Sequence, residues 1–140
     1  MWHRQDGSIA TVVDRAAIEA LIATYCDAWQ VRDRDAWLAT FDEHATQEDP
    51  VGEGIRVGQE EIGQFWDRAQ ASYDEVELRP RALRIAGSEA ALEWTIVAKE
   101  GDEWVVFDGV DVFTFDSRPS ILTVRAYWDR DRRERTARRP

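Results

Sequence analysis

The chain has 140 residues, 44% of them hydrophobic, and a formal charge of −10 at pH 7, which allows one domain with a core and a single modest pocket but not two domains. The negative charge weighs against nucleic acid, no run of about 18 apolar residues could span a membrane, and MWHRQDGSIA lacks the apolar stretch of a secretory leader; a cytoplasmic protein is expected. A single cysteine, Cys26, can form neither an intrachain disulfide nor a multi-thiolate zinc site.

Asp14 is placed to cap a helix. Ile18, Leu21, Ile22, Tyr25 and Trp29 follow at steps of three or four and share one helical face. A short second helix over residues 33–41 presents Trp37, Leu38 and Phe41. Residues 45–49 read as a short strand stopped by Pro50, with a loop through Gly52 and Gly54. A third helix, residues 59–72, aligns Ile62, Phe65, Trp66 and Ala69.

From there the period changes to two. Residues 76–85 alternate, with Pro80 marking a bulge or an edge, and residues 90–99 put Leu92, Trp94 and Ile96 on one face. Glu100-Gly101-Asp102 turns the chain into a strand over 104–115, and residues 121–128 form the last strand. Three helices followed by a meander predict an α+β domain, with the helices on one face of a curved antiparallel sheet and a ligand cavity between the layers. Residues 125–140 hold seven arginines against three acids. Residues 129–140 are therefore read as a basic tail, solvated or packed on the acidic body, beyond a single domain over 1–128.

Three residues are candidates for chemistry. Asp111 lies on a strand apolar on both faces, where an ionised carboxylate is costly to desolvate. It would keep its proton and donate a hydrogen bond, or else pair with Arg125 on the next strand. Asp49 stands where a strand meets a loop, a place that suits a partly solvated general base or a turn-forming Asp before proline. Tyr25 lies on the apolar helix face, either as plain core or with its hydroxyl in the cavity. Little else carries chemistry. His3 and His44 belong to no metal-ligand cluster, the serines lie in no GxSxG context, and no glycine-rich phosphate loop occurs, so neither metal nor cofactor is expected. Cys26 is helix core. The tryptophans are mostly core by spacing, and those that line a cavity would favour a large, flat, apolar ligand.

Helix, helix, Ala45-Thr46-Gln47-Glu48-Asp49-Pro50-Val51-Gly52, helix, meander, Val110-Asp111-Val112-Phe113-Thr114-Phe115-Asp116, then Arg125-Ala126-Tyr127-Trp128 is an order with a known counterpart. It resembles the ketosteroid isomerase (steroid Δ5-isomerase) family of the cone-shaped nuclear transport factor 2-like, or SnoaL-like, fold, over residues 17–128. The resemblance implies Asp49 as general base, Tyr25 as the oxyanion-hole tyrosine and Asp111 as the carboxylic acid donating beside it. It also implies that Trp128, Trp66, Phe41 and Phe113 contact a small apolar steroid-like substrate, that no cofactor takes part, and that the protein is a homodimer. Phe41 and Trp66 stand where well-studied members carry tyrosines that support the oxyanion tyrosine. Asp108, at odd separation from Asp111, is expected on the opposite face. Other functions share this fold: a polyketide or polyether cyclase, an Asp-Arg-Asp epoxide hydrolase for which Arg125 would be the arginine, and a non-catalytic binder of sterol-like ligands.

Overall fold

Helix α1 (Arg15–Val31) begins where expected, the Asp14 carboxylate accepting the Ala16 N–H at 3.0 Å. The structure is a computed structural model that describes residues 13–140; His3 lies outside the described residues. Ile18, Ile22, Tyr25 and Trp29 form the buried stripe of α1, with Leu21 at its margin. Helix α2 (Arg34–Leu38) is capped by Asp33 and is shorter than the residue pattern suggests. Thr40 closes it by donating its hydroxyl to the Trp37 carbonyl at 2.6 Å, and Phe41 opens strand β1 (Phe41–Glu48) instead of ending the helix. A buried phenylalanine next to a helix end satisfies either period, so the pattern extended the helix too far.

Strand β2 (Ile55–Val57) pairs antiparallel with β1 and leads into helix α3 (Gly58–Ser72). Three residues are too few for alternation to reveal a strand. Four longer strands follow: β3 (Glu75–Ala86), β4 (Glu89–Glu100), β5 (Glu103–Phe115) and β6 (Ile121–Tyr127). The β3–β4 register slips between Pro80 and Ala82, the bulge that proline called for. Gly101 turns the β4–β5 hairpin with φ 63°, a conformation that favours glycine.

The sheet runs β2-β1-β6-β5-β4-β3. The expected antiparallel sheet is corrected to a mixed one, because β1 and β6 pair parallel, Gln47 opposite Val124 and Glu48 opposite Arg125. Alternation reports which face a side chain takes, not the direction of the neighbouring strand. With a helix and four strands between them, β1 and β6 are free to run the same way. Beyond β6 the chain makes a 3₁₀ turn (Arg130–Arg132) and strand β7 (Glu134–Thr136), which pairs with β5 at Trp104–Val106. Its arginines meet acids of the body: Arg130 with Glu53, Arg135 with Glu100 at 3.2 Å and Arg139 with Glu77 at 3.1 Å. Each exposed pair contributes little singly. The residues read as a tail thus add a strand beside β5. No helix among the described residues is long and apolar enough to cross a membrane.

An aromatic cluster joins the helices to the sheet. Trp37 is fully buried, with Trp29, Trp66 and Phe41 at ring-centroid distances of 5.3, 5.0 and 4.8 Å. Trp37→Ala is expected to cost about 3–5 kcal/mol of unfolding free energy, read as a lowered urea midpoint. A loss below about 1 kcal/mol would mean that the cluster closes over the gap.

Candidate active site

Between the helices and the inner sheet face lies a cavity of about 260 Å³. Tyr25 from α1 and Asp111 from β5 meet there. Both are 3% exposed, and the Tyr25 hydroxyl donates to Asp111 Oδ2 at 3.3 Å. The helical stripe points Tyr25 down onto the sheet, while the strand period that buries Phe107 and Phe113 brings Asp111 to the same inner face. Trp37, Phe41 and Phe113 box the Tyr25 ring at centroid distances of 5.8, 6.0 and 5.2 Å, and none offers a hydroxyl. The tyrosine is thus oriented by packing. Burial, then the charge of Asp111, holds its hydroxyl protonated well above the ordinary tyrosine range.

Asp49 enters the same cavity from the end of β1, half-buried. Trp128 Nε1 donates to its Oδ1 at 2.6 Å, and the Trp128 ring leans on Phe107 at 4.9 Å. The Arg130 guanidinium also sits 4.8 Å from the centroid of that ring, itself bound to Glu53. Residue 130, assigned to the tail, therefore helps hold the indole that holds Asp49.

The two carboxyls differ in what surrounds them. Burial raises both. Asp49 has the Trp128 N–H and the charges of Arg56 and Arg130 in favour of its anion. Asp111 has the charge of Asp49 against its anion and is pushed up to about 8, with Trp94 and Tyr25 pulling it the other way. The surroundings thus favour the anion of Asp49 more than that of Asp111.

Several expectations change here. Phe41, Trp66 and Phe113, expected to touch substrate, do not line the cavity. They are 4%, 3% and 0% exposed and form the solid core behind Tyr25 and Trp29. Trp128 does line it. Arg125 points outward to Glu48 at 3.1 Å, so it neither pairs with Asp111 nor stands between the two aspartates. Asp108 is exposed on the opposite face from Asp111 and accepts from Thr95 at 2.5 Å. Cys26 is buried, its thiol pushed up to about 12 by desolvation and then by Asp111, which leaves no nucleophilic thiolate. No group of His, Cys, Asp or Glu among the described residues could hold a metal ion.

Among the cavity residues that the sequence does not single out as a site are Trp94, Arg56, Arg68 and Arg130. Trp94 had a signal. It stands opposite Gly109 on β5, and a Cβ there would lie 2.4 Å from the indole. Only glycine lets that ring lie over the strand two residues from Asp111. Trp94 Nε1 and Asp111 Oδ1 are both buried without a well-formed hydrogen bond, yet the indole N–H lies close enough to favour the Asp111 anion. The arginines had no signal, since isolated arginines on a short strand, a helix and a chain end read as surface.

Helices packed on a curved mixed sheet with a cavity between them are the fold of the nuclear transport factor 2-like, or SnoaL-like, class of proteins. The chain belongs to the SnoaL-like family, whose SnoaL-like domain matches residues 22–118. A steroid Delta-isomerase of Nocardioides simplex is 32% identical over 113 residues, spanning 81% of this chain and 90% of that protein. Among solved structures, SalBIII, an epoxide hydrolase/cyclase-like enzyme of pyran ring formation in polyether salinomycin, superposes with a TM-score of 0.78 at 25% identity, covering 86% of this chain and 96% of its own. The Δ5-3-ketosteroid isomerase from Mycobacterium sp. has a TM-score of 0.75 at 21% identity over 85% of this chain and 98% of its own, a likeness of fold. The resemblance to steroid isomerases noted from the sequence stands on these matches.

Proposed function

We propose that the protein is a cofactor-independent isomerase that moves the double bond of a Δ5-3-ketosteroid into conjugation with the ketone. The observation that carries this reading is that Asp49, held by Trp128, opens on the same cavity as the buried, hydrogen-bonded pair of Tyr25 and Asp111. Asp49 takes the proton from the carbon between the ketone and the β,γ double bond, and the electron pair moves through both to form a dienolate. Negative charge then grows on the ketone oxygen, where Tyr25 and neutral Asp111 donate hydrogen bonds in a site with little water to reorganise. Asp49 returns the same proton two carbons along, which yields the conjugated enone with no net change of oxidation state.

Packing takes the place of supporting hydroxyls around Tyr25, through Trp37, Phe41 and Phe113. The steroid isomerase relative supports the substrate class. Purified protein mixed with 5-androstene-3,17-dione is expected to develop the absorbance of the conjugated enone. No conversion, with the phenolic steroid equilenin bound tightly all the same, would overturn the isomerase and leave a steroid-binding cavity.

A further inference from the structure

Two arginines that make no ion pair among the described residues line the cavity. Arg56 comes from β2 and Arg68 from α3. Ion pairs among the described residues are made by other arginines, Arg130 with Glu53 included. The acids near Arg56 are engaged elsewhere: Asp49 with Trp128, Glu53 with Arg130, and Glu61 with the Val57 N–H.

Arg56 is also held ready. Its guanidinium sits 4.6 Å from the centre of the Phe65 ring, and its Nη1 is buried with no hydrogen-bond partner. A buried N–H of a cation left unsatisfied is unfavourable until an acceptor arrives. Burial pulls the Arg56 pKa down, the charge of Asp49 works against that, and the neighbouring charge of Arg68 lowers it further, so the two cations feel each other. An anion between them relieves both effects.

Exposure orders the cavity. Tyr25, Asp111 and Trp94 form its buried floor, whereas Arg68 and Ser72 are exposed and mark its mouth. An elongated apolar ligand whose ketone lies on Tyr25 and Asp111 brings its far end out towards the arginines. We propose that the ligand of this cavity is a ketosteroid bearing a carboxylate at the end remote from the ketone, held by Arg56 and Arg68 at the mouth. The planar fork of a guanidinium matches a carboxylate with two parallel donors. This inference rests on the isomerase reading of the cavity, which supplies the orientation of the ligand.

The test is a titration of tryptophan fluorescence, because Trp29, Trp94 and Trp128 line the cavity. The probes are 3-oxochol-4-en-24-oic acid and its methyl ester, which share a ring system and differ in charge. At low salt the acid is expected to bind at least about 10-fold more tightly than the ester, and the ratio is expected to fall towards one in Arg68→Gln and in Arg56→Gln. Taking the ratio within each variant removes any general effect of the substitution on the pocket. Equal affinities in the unaltered protein, or a preference that survives both substitutions together, would overturn the proposal. Turnover of neutral 5-androstene-3,17-dione reports on the isomerase separately. Turnover without the carboxylate preference defeats the anion site alone, whereas the preference without turnover defeats the isomerase and leaves the anion site standing.

Discussion

Asp49→Asn is expected to lower turnover of 5-androstene-3,17-dione by about 10²–10⁴-fold, the usual worth of a positioned general base. The substitution is close to isosteric, and the asparagine carbonyl can still accept the Trp128 N–H that now reaches Asp49 Oδ1 at 2.6 Å. The fold and the wall of the cavity should therefore survive, so that lost activity reports on proton transfer and not on packing. Binding of equilenin, whose phenolic oxygen imitates the dienolate, is expected to persist or tighten, since a negative charge has left the cavity. The variant also tests the division of labour between the aspartates. Asp49 is, after burial, the leading cause of the raised Asp111 pKa, so neutralising it should bring that pKa down, measurable as an earlier ionisation of bound-state equilenin spectra with pH. Turnover within a few-fold of the unaltered enzyme would remove Asp49 from the base role.

The second large effect concerns Asp111 and pH. Activity needs Asp49 ionised and Asp111 protonated, so the rate should rise with pH through the Asp49 pKa, which burial lifts above the ordinary carboxylate range. It should fall again as pH passes about 8, where Asp111 gives up its proton. Asp111→Asn keeps a neutral N–H donor that cannot ionise, and the alkaline limb should disappear. Asp111→Leu removes the donor, and turnover is expected to drop by about 10²–10³-fold, the loss typical for one oxyanion donor. Stability moves with the same group. The folded chain holds the Asp111 proton up to about 8, while an unfolded carboxyl releases it near 3.8. Between those values the folded state binds more protons, and stability therefore falls as pH rises through the window. An unchanged alkaline limb in Asp111→Asn would assign that ionisation to another group.

The three candidate residues were legible in the sequence as local features, and the roles proposed for them came from the family resemblance. Tyr25 falls on the stripe with Ile18, Ile22 and Trp29, Asp111 interrupts an apolar strand, and Asp49 ends a strand before proline. The wall of the cavity was not legible. Phe41, Trp66 and Phe113 face inward as surely as Trp94, Phe107 and Trp128 do, and periodicity gives both groups the same signature. Whether an inward side chain fills the core or borders empty space depends on how far apart the layers stand at that point. That spacing is a property of the assembled sheet and helices.

What the chain determines by itself is local: where helices begin, as at Asp14 and Asp33, where strands bend, as at Pro80, and which face of each element is apolar. Those features follow from hydrogen-bond caps, ring constraints and side-chain periods that act within a few residues. The parallel pairing of β1 with β6 and the strand that residues 134–136 add beside β5 were decided by the tertiary structure. Each joins segments far apart in sequence, and contacts of that kind form only when burial of the shared core outweighs the entropy of closing the chain between them.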